Sequence, residues 1–243
     1  TLEREDSVDV SLVRVMYGIK QSTCVVLSGQ KDRAMVTSYA SVLRVNTKLL
    51  EAAYARLRSA DLVLFGGFFN CRGLHDASFV RFLSRLRRES DATIALDPQY
   101  DSCRTWNANG ILSSVLEMCD VFLPNEVEAC SVAHVKAPED ALSALVARFP
   151  QLLVVITLGE NGVLAGKGTR RWKAPSFPVT SFVDATGAGD AFNAGFLSHY
   201  IASGGSDVPS SLRRGLVAGA ISVSRSGACV TPIGVDELAS FPR

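Results

Sequence analysis

The sequence predicts an α/β fold: a mostly parallel sheet with helices on both faces, and a small β lid near the N-terminus. From residue 47 onward, short fully apolar runs alternate with amphipathic stretches, the pattern of strands buried on both faces between crossover helices. Before that point, two β-rich runs flank a turn-forming segment, as in a hairpin. The chain has 243 residues, 47% of them hydrophobic and 20% charged, enough apolar material for a sizeable core and too little charge for a disordered chain. Residues 1–45 are read as a partial lid segment and 46–243 as the α/β domain.

In order, residues 23–27 and 34–39 form the hairpin, joined by Ser28-Gly29-Gln30-Lys31-Asp32, which has turn chemistry. Residues 48–58 carry Leu49, Leu50, Ala53 and Leu57 at helical spacing, followed by the strand Leu62-Val63-Leu64-Phe65 and Gly66-Gly67. Helices over 76–88, 109–118 and 138–148 precede strands at 93–96, 121–123 and 152–157. A second hairpin runs through 163–165 and 170–173, and the last two helices cover 188–202 and 209–224. In such sheets ligands bind beyond the carboxyl ends of the strands. That places Gly66-Gly67, Asp97-Pro98, Pro124-Asn125, Leu158-Gly159 and the run before Ala188 at the functional end.

Composition excludes several classes. The 25 basic and 24 acidic residues nearly cancel, leaving no electrostatic footprint for nucleic acid or an anionic membrane. The apolar runs at 62–69 and 152–158 are too short to span a bilayer. Six cysteines without a C-x-x-C pair, and a charged opening without a secretory pattern, make the cytoplasm the expected compartment. His75, His134 and His199 have no partners at metal or triad spacing, no G-x-S-x-G occurs, and Arg81, Arg85 and Arg88 read as a solvated helix stripe.

The strongest motif is Asp184-Ala185-Thr186-Gly187-Ala188-Gly189-Asp190, preceded by Phe182-Val183 and followed by Ala191-Phe192-Asn193-Ala194-Gly195. It reads as a strand entering a glycine-rich turn and then a helix. The amides of Gly187, Ala188 and Gly189 can face an anion at the positive end of that helix. Asp190, in the first turn, lies where it could meet an attacking hydroxyl, and amides plus carboxylate are what phosphoryl transfer needs. The plainer reading is a strand-to-helix turn with Asp190 as a helix-start residue. A dinucleotide fingerprint fails because Phe192 stands where its third glycine belongs, and Gly166-Lys167-Gly168-Thr169 is not a P-loop.

This motif resembles the C-terminal signature, D-T-x-G-A-G-D, of the ribokinase and phosphofructokinase-B carbohydrate kinases. Further segments resemble that family in the right order along nearly the whole chain. Asn125-Glu126-Val127-Glu128 is similar to its N-x-x-E motif, which implies that Asn125 and Glu128 help hold Mg2+ through water; the plainer reading is an Asn-capped helix with an exposed Glu. Thr157-Leu158-Gly159-Glu160-Asn161-Gly162 is similar to its T-x-G-x-x-G turn, which implies nucleotide-phosphate contacts from Thr157, Gly159 and Gly162. Gly215 stands near the place of a nucleotide-side residue, although many members have an Asn in that helix. Asp97-Pro98 resembles a segment after a central strand, and Asp97 is read as architectural rather than catalytic. The C-terminal stretch from Ser222 to Pro232 resembles a monovalent-cation loop, implying Asp184, Thr186, Ser222, Arg225, Gly227 and Thr231 as candidates for K+.

The resemblance implies a ribokinase-like fold and transfer of the ATP γ-phosphate to a hydroxymethyl group of a sugar or sugar-like molecule, with Asp190 as base, Gly187 to Gly189 as the anion hole and the helix dipole keeping Asp190 ionised. ATP and Mg2+ are the expected cofactors, and a homodimer through the lid the expected assembly. Two departures stand out: the family's first strand with its substrate-binding Asp, and the G-G-x-x-x-N segment after it, do not occur in this sequence. A truncated, non-catalytic nucleotide binder and a nucleoside or vitamin kinase are the alternatives.

Overall fold

The computed structural model describes residues 8–28, 33–179, 181–227 and 232–241. Strands β1 (Thr23–Ser28) and β2 (Arg33–Ser38) pair antiparallel, with Val25 opposite Val36. The expected turn at 29–32 lies outside the described residues. Val25, Leu27, Met35 and Val36 of this hairpin are all exposed, so it has little core of its own.

The main sheet has six strands in sequence order: β3 (Leu62–Gly66), β4 (Thr93–Asp97), β5 (Val121–Phe122), β6 (Leu153–Thr157), β7 (Val163–Lys167) and β8 (Arg170–Ala174). The first four are parallel and the last two form an antiparallel hairpin. Stepwise parallel order puts the crossover helices on one face. That face is covered by α1 (Thr47–Ala52), α2 (Tyr54–Arg58), α3 (Ala77–Glu89), α4 (Leu112–Met118), α5 (Glu126–Ala133) and α6 (Pro138–Arg148), packed over Val63, Phe65, Ile94, Leu96, Phe122, Val154 and Ile156. The alternate residues, including Ala95, Val121, Leu153 and Val155, face α7 (Ala188–Ala202) and α8 (Val208–Val223). A short α9 (Val235–Ser240) follows. Among the described residues, no helix is long and apolar enough to cross a membrane.

Local chemistry explains the element ends. Asp76 caps α3 by accepting from the Ser78 and Phe79 amides, and the helix buries Phe79, Phe82, Leu83 and Leu86 along one stripe. Pro138 opens α6, with Glu139 and Asp140 in its first turn. Basic residues line β8 on the open edge of the sheet, where Arg170 and Arg171 are exposed, as edge strands require.

Three expectations are corrected. The helix expected over 48–58 is two, because the chain leaves helical geometry at Ala53 (φ −101°, ψ 1°); Tyr54 is thereby buried, its hydroxyl donating to Glu89 Oε2 at 2.9 Å and its ring packing edge-on against Phe82. The helix expected from 109 starts at Leu112, since Ala108 and Asn109 are left-handed. The strand expected before the glycine-rich turn does not form. Phe182 and Val183 are exposed, and the amides of Val183 and Asp184 donate to the Val223 carbonyl at the end of α8 (2.8 and 3.2 Å) rather than to a neighbouring strand.

The α7–α8 contact is built on small residues. A Cβ on Gly195 would lie 2.8 Å from both Ala218 Cβ and the Arg214 carbonyl, and one on Gly215 would lie 2.9 Å from the Phe192 ring. The two backbones therefore approach more closely than larger residues allow. Gly195→Ala is expected to lower unfolding stability by about 1–3 kcal/mol through overpacking, measured by urea denaturation; an unchanged midpoint would show that the helices separate freely.

Candidate active site

The carboxyl ends of β4, β5 and β6 and the start of α7 meet at one edge of the sheet. Asp97 is the last residue of β4. Asn125 follows β5 and caps α5, its Oδ1 accepting from the Glu128 amide at 3.0 Å, while Glu128 Oε2 accepts from the Asn125 amide at 2.9 Å. The Thr157 amide donates to the Pro124 carbonyl at 3.1 Å, which ties the end of β6 to the same place. Across this edge Asn193 of α7 donates from Nδ2 to Asp97 Oδ2 at 2.8 Å, and the Gln99 amide donates to Asp97 Oδ1 at 3.0 Å.

Asp97 and Glu128 are buried, at 9% and 5% exposure. Burial pushes the Asp97 carboxyl up to about 6, with the nearby charge of Asp190 adding to the rise and the donors Gln99 and Asn193 opposing it. Burial likewise pushes Glu128 up to about 7, with the Asp97 charge contributing. Among the described residues neither has an ion-pair partner. Two buried acids with only amide donors beside them fit a divalent cation, whose charge would relieve their desolvation. The Glu that sequence reading left open as exposed is thus interior, and Asp97, read as architectural, is electrostatically part of the site.

The glycine-rich turn presents the other half. Gly187 is left-handed (φ 79°) and precedes α7, a conformation that favours glycine. Gly189 has open space around it. Among the described residues the amides of Gly187, Gly189 and Asp190 have no acceptor, whereas that of Ala188 donates to the Ala185 carbonyl at 3.3 Å. Asp190 is exposed. The surrounding protein nonetheless desolvates it enough to push its carboxyl above the ordinary aspartate value, against the lowering expected from the helix dipole.

The other sequence candidates divide. Gly159 (φ 57°) is exposed with open space around it, but Gly162 (φ 95°) is buried, and a Cβ there would lie 2.1 Å from the Ala174 carbonyl. Gly162 therefore answers to hairpin packing rather than to an open backbone. Gly215, expected beside the nucleotide, is buried against Phe192. Thr157 is half-buried at the end of β6. Asp184, Thr186 and Gly227 are brought together: Asp184 accepts from the Thr186 amide at 2.8 Å and the Gly227 amide at 3.2 Å. The Ser222 carbonyl accepts from the Arg225 amide, and the Arg225 side chain pairs with Glu237. Thr231 lies outside the described residues.

Sequence reading missed Asn193 and Asp101. Asp101 is buried, and burial opposes its ionisation, yet donors from Trp106, Cys103 and Thr105 hold its carboxyl below the ordinary range. It organises the loop after β4, where Gln99, Arg104, Trp106, Ala108 and Asn109 all have positive φ. The Asp spacing to these amides was a possible turn signal; Asn193 had none. Two clefts lie away from these groups: about 160 Å3 among Trp106, Leu112, Leu145 and Phe149, and about 680 Å3 between residues of 12–21 and 41–57.

The family described as pfkB family carbohydrate kinase matches this chain over residues 2–233. The cytidine kinase of Thermococcus kodakarensis is 32% identical over 123 residues, 50% of this chain and 43% of that protein. The ribokinase of Bacillus subtilis is 36% identical over 121 residues, 50% of this chain and 39% of that protein. The chain thus spans less than half the length of these relatives. The crystal structure of ribokinase from Thermotoga maritima superimposes with a TM-score of 0.71 at 21% identity, over 92% of this chain and 70% of that one, which establishes a ribokinase-like fold.

The raised values of Asp97 and Glu128 make the folded state bind more protons than the unfolded chain, whose carboxyls titrate near ~4. Stability is therefore expected to fall as pH rises from about 4 through about 7. Thermal melts in chelator should give a lower Tm at about pH 8 than at about pH 5, with the difference reduced in Asp97→Asn and Glu128→Gln. A Tm that rises across this window in the parent would contradict the buried-acid assignment.

Proposed function

This chain belongs to the pfkB carbohydrate kinase family, and from that premise we propose that it transfers the ATP γ-phosphate to a hydroxymethyl group of a sugar or sugar-like substrate. The observation that carries the reading is the pairing of amides at the start of α7, without acceptors among the described residues, with the exposed carboxylate of Asp190 beside them.

In this mechanism Asp190 accepts the proton of the attacking hydroxyl. Its raised affinity for protons, from partial desolvation, makes it a better acceptor than a fully solvated aspartate. The amides of Gly187 and Gly189 hold the oxygens of the transferring phosphoryl group, the kind of contact worth ~10²–10³-fold per donor. Thr157 and Gly159, across the same edge, would meet the nucleotide phosphates. Glu128 and Asp97, with Asn125 on the adjacent turn, would hold Mg2+ through water, as a cation that keeps much of its hydration shell prefers. Bound there, Mg2+ would supply positive charge against the phosphate oxygens. Asp184, Thr186, Ser222 and Gly227, with Arg225 and Thr231 nearby in sequence, are the proposed surroundings of K+, where an ion would brace the turn that carries the amides.

Residues 46–243 would act as the nucleotide-binding and catalytic domain and 1–45 as part of a lid. The exposed apolar side chains of β1 and β2 support a homodimer in which a second copy covers the lid. A nucleoside as acceptor is the second reading, favoured by the similarity to a cytidine kinase. Phosphate transfer from ATP across ribose, fructose, cytidine and adenosine would separate the two.

Asp190→Asn is expected to keep the parent's circular dichroism and Tm and to lower turnover ~10²–10⁴-fold. A variant within a few-fold of the parent would remove Asp190 from this role. A parent that binds nucleotide without turnover would favour the non-catalytic alternative.

A further inference from the structure

Asn193 sits one turn beyond Asp190 on α7, among the buried apolar residues Phe192, Phe196 and Leu197. It is itself 5% exposed. Packing alone would accept an apolar side chain there, and a buried amide costs stability unless its hydrogen bonds are made. Its Nδ2 donates to Asp97, a residue 96 positions away at the carboxyl end of the sheet. The Gln99 amide already holds the other Asp97 oxygen. Asp97 therefore has one oxygen anchored by its own loop and the other by the helix that carries Asp190.

We propose that Asn193 is a positioning residue: it aims the Asp97 carboxylate and locks the start of α7 in register with the acidic end of the sheet. The inference rests on the reading of Asp97 and Glu128 as the groups that hold a divalent cation. The residue type fits the task. A Lys or Arg at 193 would neutralise Asp97 and compete with the cation, and an Asp would add a further negative charge beside Asp97, Glu128 and Asp190. An amide donates a directional bond while leaving the carboxylate its charge. Because Asn193 and Asp190 share one helix face, the same bond sets the distance between the base and the cation end.

The test uses Mn2+ alone, with binding to the full chain read from the free-ion EPR signal. Asn193→Leu is expected to weaken Mn2+ binding about 10–100-fold, the usual effect of losing a group that orients a ligand, with unchanged circular dichroism. Asp97→Asn should weaken it at least as much. The double variant should bind no more weakly than Asp97→Asn alone, because a residue acting only through Asp97 has nothing left to act on. Asn193→Ala, which also lacks the donor and adds no bulk, carries the same comparison if the Leu variant fails to fold. Binding that responds to Asp97→Asn but not to loss of the Asn193 amide, or additive losses in the double variant, would overturn the role of Asn193 and leave the cation site standing. Binding indifferent to Asp97→Asn and to Glu128→Gln would overturn both.

Discussion

Two carboxylates buried at the end of a parallel sheet, with no basic side chain beside them among the described residues, set the terms for the rest of this structure. Burying Asp97 and Glu128 carries an energetic cost that donors, a cation or a bound proton can offset. The fold supplies donors in a particular form. The Gln99 and Asn125 amides come from turns at the strand ends, and one side-chain amide comes from α7. Each holds a carboxylate without neutralising it. The fold thus keeps two acids together at the end of the sheet, and their raised proton affinity comes chiefly from burial, with a neighbouring carboxylate adding to it.

The helix that delivers Asn193 also delivers the unpartnered amides, so the position of α7 matters twice. It is held from behind by α8 through contacts at Gly195 and Gly215 that leave no room for side chains. It is held from the side by the turn after α8, where the Val223 carbonyl receives two amides of the preceding loop and Asp184 receives that of Gly227. Among its described residues that loop is irregular rather than a strand, and these hydrogen bonds help set its direction.

Much of the architecture was legible in the amino-acid order. Apolar runs and one hairpin located the strands of the main sheet to within a residue or two, and the helices at 138–148 and 188–202 have the expected bounds. The glycine-rich turn and Asp190 were legible too, because a left-handed residue, an open backbone and a helix start leave local signatures. Other properties were not legible where the deciding partner is remote. Glu128 sits in a helix start that allows an exposed side chain, and only the sheet beneath it makes it interior. Gly162 and Gly215 look like ligand-facing glycines, yet Ala174 and Phe192 explain them. Asn193 carries no local sign of its bond to Asp97.

The order of residues by itself determined the α/β class, the succession of elements and the glycine-rich turn that opens α7, since periodicity, capping and backbone freedom act over a few neighbouring residues. Only the tertiary structure decided which acids are buried, which glycines serve packing and which side chain links α7 to the sheet. Those properties depend on groups that sequence places tens of residues apart and that folding brings within hydrogen-bonding or van der Waals distance.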